Sequence, residues 1–253
     1  MVEVGGGSAR LPAAHRPAFY AAAGGSWRAW WTVLHPPYTA WHLAYVVIGA
    51  SLAPEVDAGR LIATLLAFFL AVGVAAHALD ELHGRPLQTT LPAPALAVAV
   101  VLGLVGAVGL GIAGVLQVGW VLVPFIVVGP LLVVAYDAEL FGGVIHTDLG
   151  FAASWGGFPV LTGYVAQAGT LRLAPVLAAA GAIALSAAQR SLSTPARTVR
   201  RSVYRMGGTM TMRDGRVRSF DEQLVLQPIE RALRASAWAV TLLAAALAVA
   251  RLT

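Results

Sequence analysis

The chain has 253 residues, of which 58% are hydrophobic and only 11% are charged, and its mean hydropathy is +0.75. A soluble domain of this size carries about 25% charged residues, so the composition excludes an ordinary globular protein and indicates an integral membrane protein. The chain has no cysteine, which excludes disulfides and thiolate chemistry. The net charge of +5 comes from arginines that lie mainly between apolar runs, a pattern that favours the basic-loop bias of membrane proteins over nucleic-acid binding.

The chain begins with a polar, glycine-rich stretch, and we predict that residues 1–34 form a flexible leader that ends in interfacial aromatic residues. Trp27, Trp30 and Trp31 precede Tyr38 and Trp41. Such a cluster is typical of an aromatic belt at the membrane surface. Residues 35–253 are predicted to form a single transmembrane domain.

Seven apolar segments approach the length of about 20 residues that a helix needs to cross a membrane. They predict an all-α, polytopic transmembrane helical bundle of about seven, and up to nine, helices. The predicted segments are Tyr38–Leu52, Leu61–Leu82, Ala93–Leu116, Val118–Ala135, Leu149–Ala166, Leu173–Ala188 and Ala232–Ala250.

The distribution of arginine predicts the orientation of this bundle. If the N-terminus is cytoplasmic, the segment after the sixth helix is cytoplasmic too, and it carries eight arginines between Arg190 and Arg218. The opposite side receives only Arg60, Arg172 and Arg251. The positive-inside bias therefore predicts a cytoplasmic N-terminus and cytoplasmic polar clusters. We predict an Arg-rich loop over residues 190–230, with a small hairpin at Asp214–Gly215 that caps the bundle.

The second predicted helix ends in a stretch, 76–92, that is unusually polar for such an apolar chain: AHALDELHGRPLQTTLP. His77, Asp80 and Glu81 have the spacing i, i+3 and i+4, so they share one face of a helix. Ionisable residues at a membrane helix end usually face the bundle interior or a water-filled cavity. We predict that Arg85, just before Pro86, binds an anion there.

A second polar stretch, YDAELFGGVIHTDLG, covers residues 136–150 at the end of the fourth predicted helix and the start of the fifth. The predicted topology places it on the same side as the first stretch. Together the two stretches offer a mixed histidine and carboxylate site for a cation. The predicted metal ligands are His77, Asp80, Glu81, His83, Asp137, Glu139, His146 and Asp148.

Isolated polar and aromatic residues have simpler interpretations. His35 and His42 are expected to be hydrogen-bonded polar residues rather than ligands. Trp155 and Phe158 beside Pro159 are expected to pack around a helix break.

Four stretches resemble the UbiA-like intramembrane prenyltransferase superfamily, with the menaquinone-type branch as the nearest in character. LHPPYTAWHLAYVVIGASLAP (34–54) is similar to the first helix of that family, and 76–92 lies where the family has its first aspartate-rich motif. TDLGFAASWGGFPVLTGYVAQAG (147–169) looks like the region of the fifth helix. ALSAAQRSLSTPARTVRR (184–201) lies where the family has its second aspartate-rich motif.

The resemblance implies a helical bundle that acts on an isoprenoid or related lipid, in which Mg²⁺ ions held by aspartates bind the diphosphate of the donor. The chain departs from this pattern, because the first motif keeps only Asp80, with Glu81 as a substitute. His77 and Gly84 replace the other two aspartates, and 184–201 contains no carboxylate. Asp80 and Glu81 are therefore the predicted catalytic residues, and Arg85, Tyr136 and Arg190 the predicted substrate-binding residues.

Three functions stay open at the level of sequence. The first is a divergent prenyltransferase-like enzyme with Mg²⁺. The second is a cyclase, hydrolase or oxidoreductase that uses Fe, Mn or Zn at the His and carboxylate site. The third is a non-catalytic subunit that binds a lipid or a protein partner.

Overall fold

The computed structural model describes residues 17–22 and 25–253, which form a bundle of helices with one small hairpin. We number the main helices in chain order. They are α1 (Ser26–Val33), α2 (Pro36–Ser51), α3 (Ala58–Leu82), α4 (Ala93–Val118), α5 (Trp120–Asp137), α6 (148–168), α7 (Leu173–Ser202) and α8 (Glu222–Leu252), with β1 (Gly207–Thr211) and β2 (Val217–Asp221) between the last two.

Each of the seven predicted apolar segments corresponds to one of the helices α2 to α8, with differences of one or two residues, or more, at the ends. Five of these helices, α3, α4, α5, α7 and α8, are long and apolar enough to cross a membrane. The chain is therefore a helical membrane protein with five candidate spans. Helices α2 and α6 correspond to the first and fifth predicted segments, and α2 has only 16 residues.

The centre of the bundle is the contact of α2 with α6 and α8. Two glycines allow α2 and α6 to touch closely: a Cβ on Gly49 would collide with the carbonyl oxygen of Val160, and one on Gly163 with that of Val46. Such small residues let membrane helices approach to backbone contact. The hydroxyl of Tyr45 then ties α2 to α7, because Ser186 Oγ donates to it at 3.2 Å.

Two helices contain π-helical stretches, Phe69–Ala76 in α3 and Ala153–Gly157 in α6. A π-helical turn adds one residue per turn and frequently marks a functional site, because it redirects side chains on one face. Here both stretches contribute to the walls of the cavities described below, through Val72 and Ala76 on α3 and Trp155 on α6.

The predicted Arg-rich loop over 190–230 is correct only for residues 203–221, which lie between α7 and α8. Helix α7 continues through Pro195 to Ser202, 14 residues beyond the predicted end, and α8 begins at Glu222, where Asp221 caps it by accepting from Leu224 N. A hydropathy pattern detects only the apolar part of a helix, whereas the hydrogen-bonded ladder continues into a polar, amphipathic extension.

The predicted hairpin is confirmed. Its predicted position as a cap over the bundle is not confirmed. Strands β1 and β2 pair antiparallel with Met210 opposite Arg218, and the turn uses Gly215 at φ 81°. A left-handed turn residue of this kind is the usual role of glycine in tight hairpins. None of the hairpin residues lines the cavity described below.

The predicted leader lies partly outside the described residues, which lack 1–16 and 23–24. Within the described part, Ser26–Val33 is helical and residues 17–20 line a cavity. Trp27 and Trp31 are exposed, in keeping with an aromatic belt. Trp41 is not part of a belt, because it is buried in the core and donates to the Tyr45 hydroxyl at 2.7 Å.

Candidate functional site

The end of the bundle that carries the arginines of α7 contains a cavity of about 310 Å³, which we call the polar cavity. This volume is at the lower end of the range of about 300–1,000 Å³ that is usual for small-molecule sites. Residues 17–20 and helices α2, α3, α5, α6, α7 and α8 all contribute to it. Its polar and aromatic lining includes Tyr20, His35, Tyr38, His42, His77, Asp80, Tyr136, Asp137, Glu139, His146, Trp155, Gln189, Arg190, Arg197, Arg200, Arg201 and Glu230.

One wall of the polar cavity consists of arginines from α7. Arg190, Arg197 and Arg201 have the spacing i, i+7 and i+11, so the helical extension places them on one face. Arg190 Nε donates to Asp148 at 2.9 Å and its Nη1 to the Tyr136 hydroxyl at 3.0 Å.

The other arginines of this wall differ in their partners. Arg200 is paired with Glu230 at 2.5 Å. Arg197 donates only to Thr194 Oγ1 and Arg201 only to the carbonyl of Pro17, and neither forms an ion pair with a carboxylate among the described residues. These two guanidinium groups therefore retain donors for an anion.

The facing wall carries carboxylates from two helices. Asp80 near the end of α3 and Asp137 at the end of α5 both line the cavity, and Glu139 lies at its rim with a largely exposed side chain. Asp137 Oδ2 is buried and has no hydrogen-bond partner among the described residues. The two polar stretches of the sequence thus meet at one cavity, as the predicted topology requires.

A histidine pair forms a third part of the lining. The rings of His35 and His77 stack at 4.2 Å with an angle of 13° between their planes. His35 Nδ1 is 3.0 Å from the Tyr20 hydroxyl, and His77 Nδ1 is 3.2 Å from the carbonyl of Gly73. Burial lowers the pKa of His35 well below its ordinary value, with a further contribution from His77. His35 is therefore neutral at pH 7.

Tyr136 joins the arginine wall to His146. The two rings stack at 4.5 Å, and His146 Nδ1 is 3.0 Å from the carbonyl of Tyr136. The same imidazole lies 4.0 Å from Glu139 Oε1. Tyr136 lines the polar cavity and its hydroxyl accepts from Arg190; its role in substrate binding stays a prediction.

A second cavity, which we call the apolar cavity, lies among α3, α4, α5 and α6 and has a volume of about 150 Å³. Its lining is mostly apolar, with Arg60, Thr64, Gln117 and Thr162 as its polar members. Val72 and Trp155 line both cavities, so the two lie on either side of the same residues.

Four predicted site residues do not line the polar cavity. Glu81 is fully buried and accepts hydrogen bonds at 2.8–2.9 Å from the backbone of Leu87 and Thr89 and from the Thr89 hydroxyl. Asp148 is exposed beside the cavity and reaches it only through its pair with Arg190. His83 is exposed on the loop.

Arg85 is the fourth of these residues, and it has a structural position instead of the predicted anion-binding one. Its Nη1 donates to the carbonyl of Leu91 at 2.6 Å and more weakly to that of Thr89. Glu81 and Arg85 therefore hold the loop 83–92 together from inside. Sequence spacing did not show this, because the loop folds back onto the helix end.

The metal prediction remains a prediction. In residues 17–22 and 25–253, no group of three His, Asp or Glu side chains is arranged to hold a metal ion. The carboxylates that line the polar cavity are two half-buried aspartates, the rim residue Glu139, and Glu230, which is paired with Arg200; Glu81, His83 and Asp148 lie elsewhere.

Sequence reasoning also missed residues that matter at this site. His35 was expected to be a hydrogen-bonded polar residue; its Nδ1 has the Tyr20 hydroxyl as a partner, whereas its Nε2 is buried without a partner among the described residues. His42 does have the expected partner, the carbonyl of Trp155 at 2.9 Å. The helical spacing of Arg197 and Arg201 with Arg190 was the feature of the sequence that could have placed these two arginines at the site.

Comparisons of the chain with models of known families, with curated proteins and with solved structures found no match. The resemblance to intramembrane prenyltransferases therefore depends on the four sequence stretches alone.

Proposed function

We propose that this protein binds an isoprenoid or related membrane lipid, with the phosphate-bearing head group in the polar cavity and the hydrocarbon tail in the apolar cavity. The observation that carries the proposal is the adjacency of the two cavities. The polar cavity has two arginines, Arg197 and Arg201, without a carboxylate partner among the described residues. It shares Val72 and Trp155 with an apolar cavity between candidate membrane spans.

The arginine wall favours a phosphate over other polar groups. A guanidinium group donates two parallel hydrogen bonds to phosphate oxygens, and such charge-assisted bonds are roughly twice as strong as neutral ones. Arg197 is half-buried and lies close to Arg190 and Arg201 on the same face. Since like charges held together in a partly buried site repel one another, an anion between them relieves a cost that the free protein bears.

The apolar cavity suits a hydrocarbon chain. Alanine and glycine from α3 and α4 leave space, and the rings of Phe68, Phe125 and Phe158 also line the cavity, with centroid distances of 6.1 Å for Phe68–Phe158 and 5.7 Å for Phe125–Phe158. Because the tail moves from lipid into an equally apolar cavity, it contributes packing contacts rather than a gain from leaving water. The polar cavity would therefore supply most of the affinity and decide which head group is accepted.

The test is lipid binding by the purified, delipidated protein. We expect phosphorylated isoprenoids to bind and to raise the thermal unfolding midpoint, and we expect Arg197→Ala and Arg201→Ala to weaken that binding about tenfold each. Arg216→Ala is the matched control, because Arg216 lies on the hairpin and pairs with Asp214. Equal affinity in all three variants and the parent protein would contradict the proposal.

The predicted orientation places the polar cavity on the cytoplasmic side. It is supported by the arginine bias, and the absence of cysteine makes it simple to test. Tyr204, between α7 and β1, is almost fully exposed. In Tyr204→Cys, a membrane-impermeant thiol reagent should label the protein in inverted vesicles and not in intact cells. Labelling in intact cells would show that the orientation is the opposite of the predicted one.

Metal-dependent prenyl transfer is a second candidate, favoured by the two aspartates on the cavity wall. Mg²⁺ binds carboxylate and phosphate oxygens and keeps several waters, so Asp80 and Asp137 with a substrate diphosphate fit its requirements. A bound Mg²⁺ would neutralise the leaving diphosphate. The chain's own contribution would be to hold that diphosphate with Arg197 and Arg201.

Because the second aspartate-rich motif is missing, we expect transfer from labelled prenyl diphosphates to be weak or absent. Robust Mg²⁺-dependent transfer that Asp80→Ala abolishes would overturn this expectation. Element analysis of the purified protein tests the Fe, Mn or Zn alternative, which predicts a stoichiometric metal.

A further inference from the structure

The segment between α5 and α6 (138–147) exposes large apolar side chains beside the polar cavity, and we call it the rim loop. Phe141 is 82% exposed and Val144 is 74% exposed. Glu139 and His146, on either side of them in the chain, line the polar cavity. Contiguous exposed apolar surface that is bordered by polar residues marks a surface that contacts a membrane or a partner.

The rim loop adjoins the lipid-facing surface of the bundle. The α5 helix is a candidate span, and its residues Val127, Val128 and Leu131 are exposed. On the other side of the loop, Leu149 in the first turn of α6 is exposed as well. Exposed apolar residues thus occur before, within and after the loop, so the loop continues a surface that lipid covers.

The length of α5 places the rim loop at the membrane surface. Its 18 residues span about 27 Å, close to the hydrocarbon thickness of about 30 Å, and the loop begins at the next residue. The hairpin at 207–221 differs, because α7 continues for 14 residues, or about 21 Å, beyond its predicted apolar part. Side chains of the rim loop therefore reach the lipid, whereas those of the hairpin are expected in water.

The backbone of the rim loop is also unusual. Glu139 and Phe141 have left-handed φ values of 48° and 57°, and Gly142 and Gly143 follow at 70° and 76°. A residue with a side chain keeps this conformation only where its surroundings enforce it. Because the ring of Phe141 is largely exposed, packing inside the bundle does not enforce it. Contact with lipid outside the bundle would supply the constraint.

We infer that the rim loop inserts Phe141 and Val144 into the acyl-chain region of the leaflet beside the polar cavity and forms the entrance through which a membrane lipid reaches that cavity. A lipid whose tail lies against Phe141 has its head group at the level of Glu139 and His146, which line the cavity. The insertion depends on the loop alone. The role as an entrance also depends on the proposed lipid binding.

The absence of cysteine allows a direct test of the insertion in lipid nanodiscs. A nitroxide label on Phe141→Cys or Val144→Cys should be relaxed more by oxygen, which concentrates in lipid, than by a water-soluble nickel chelate. The matched control is Val217→Cys on the hairpin, which is also exposed and should show the reverse. Access of the nickel chelate to positions 141 and 144 equal to that at 217 would overturn the inference. Spin–spin broadening in the singly labelled protein would overturn it too, because a second copy would then cover the loop.

A second experiment tests the entrance. Because a charge is costly in hydrocarbon, Phe141→Glu should withdraw the loop from the lipid. We expect geranylgeranyl phosphate in nanodiscs to bind this variant about tenfold more slowly, and water-soluble geranyl phosphate to bind it in detergent at the rate of the parent protein. Phe141→Ser should have a smaller effect of the same kind, and it serves if Phe141→Glu does not fold. Val217→Glu is the matched control and should leave both rates unchanged.

The two experiments separate this inference from the proposed function. If neither prenyl phosphate binds in an Arg197-dependent manner, the proposed lipid binding fails, whatever the spin labels show. If both bind in that manner while the labels at 141 and 144 lie in water, only the inference about the rim loop fails. It also fails if Phe141→Glu and Phe141→Ser bind geranylgeranyl phosphate as fast as the parent protein.

Discussion

The loop 83–92 and the adjacent wall of the polar cavity contain the same kinds of residue in opposite states. In the loop, the buried carboxylate of Glu81 accepts three hydrogen bonds and Arg85 donates to two carbonyls. In the cavity wall, Asp137 has a buried oxygen without a partner, and Arg197 has no carboxylate partner in the described part of the chain.

Asp80 and Glu81 make the comparison sharp, because they are consecutive in the chain. One residue along an α-helix is a rotation of about 100°, so the two side chains leave α3 in different directions. Asp80 points to the cavity and Glu81 to the loop. Satisfied buried polar groups stabilise the fold, and unsatisfied ones are candidates for binding, so the two regions should respond differently to substitution.

The largest expected effect is on stability, from Glu81→Ala. The change leaves the N–H groups of Leu87 and Thr89 without their acceptor, and each such loss costs about 1–3 kcal/mol. We expect the free energy of unfolding to fall by about 3–5 kcal/mol in detergent, with a smaller loss for Glu81→Gln. A stable Glu81→Ala protein with impaired lipid binding would reverse the assignment of the two regions.

Arg197→Ala should have the opposite pattern. Because Arg197 has no carboxylate partner among the described residues, we expect little loss of stability and about a tenfold loss of affinity for a phosphorylated lipid. Arg197→Lys keeps the charge and loses the bidentate geometry, so its affinity should be intermediate. A titration with lipid, followed by intrinsic tryptophan fluorescence, measures the affinity of the parent protein and of both variants. A clear loss of stability in Arg197→Ala would show that this arginine is structural.

The buried imidazole of His35 should make stability depend on acid pH. Its pKa is lowered in the folded protein, so below its unfolded pKa of about 6.5 the unfolded chain binds a proton that the folded one does not. Stability from this residue is full above about pH 6.5 and falls by up to about 1.4 kcal/mol per pH unit below it.

His35→Asn should make this acid loss shallower, and asparagine also tolerates the left-handed backbone. Thermal unfolding between pH 7 and pH 5 provides the measurement. His83→Asn is the control, since it removes an exposed histidine without touching the cavity. If stability falls as steeply with decreasing pH in His35→Asn as in the parent protein, another residue causes the acid sensitivity.

The smallest expected effect is that of Arg85→Lys. The ammonium group can still reach one carbonyl of the loop but cannot reproduce the guanidinium contact with both Thr89 and Leu91. We expect a loss of about 1 kcal/mol in stability and no change in lipid affinity. Reduced affinity at unchanged stability would support the anion-binding role that the sequence suggested.

The apolar segments of the chain by themselves determined the helical membrane architecture. Long apolar runs favour burial in lipid, and all seven predicted segments correspond to helices. The turn predicted at Asp214–Gly215 is the turn of the observed hairpin. The same signal failed for the ends of α7 and α8, where the helix continues into polar sequence. The count of predicted segments also exceeds the count of candidate spans among the described residues, because the segments in α2 and α6 are not among the five.

The sequence also indicated that two polar stretches would meet, because charge bias and helix count place 77–85 and 136–148 on one side of the bundle. Only the tertiary structure decided which members of these stretches face the cavity. The direction of Glu81 and Arg85 depends on a loop that folds back onto α3, and the position of the buried His35 Nε2 depends on contacts of the ring with Tyr20 and His77. Periodicity describes one helix at a time, whereas hydrogen-bond satisfaction depends on neighbours that are distant in the chain.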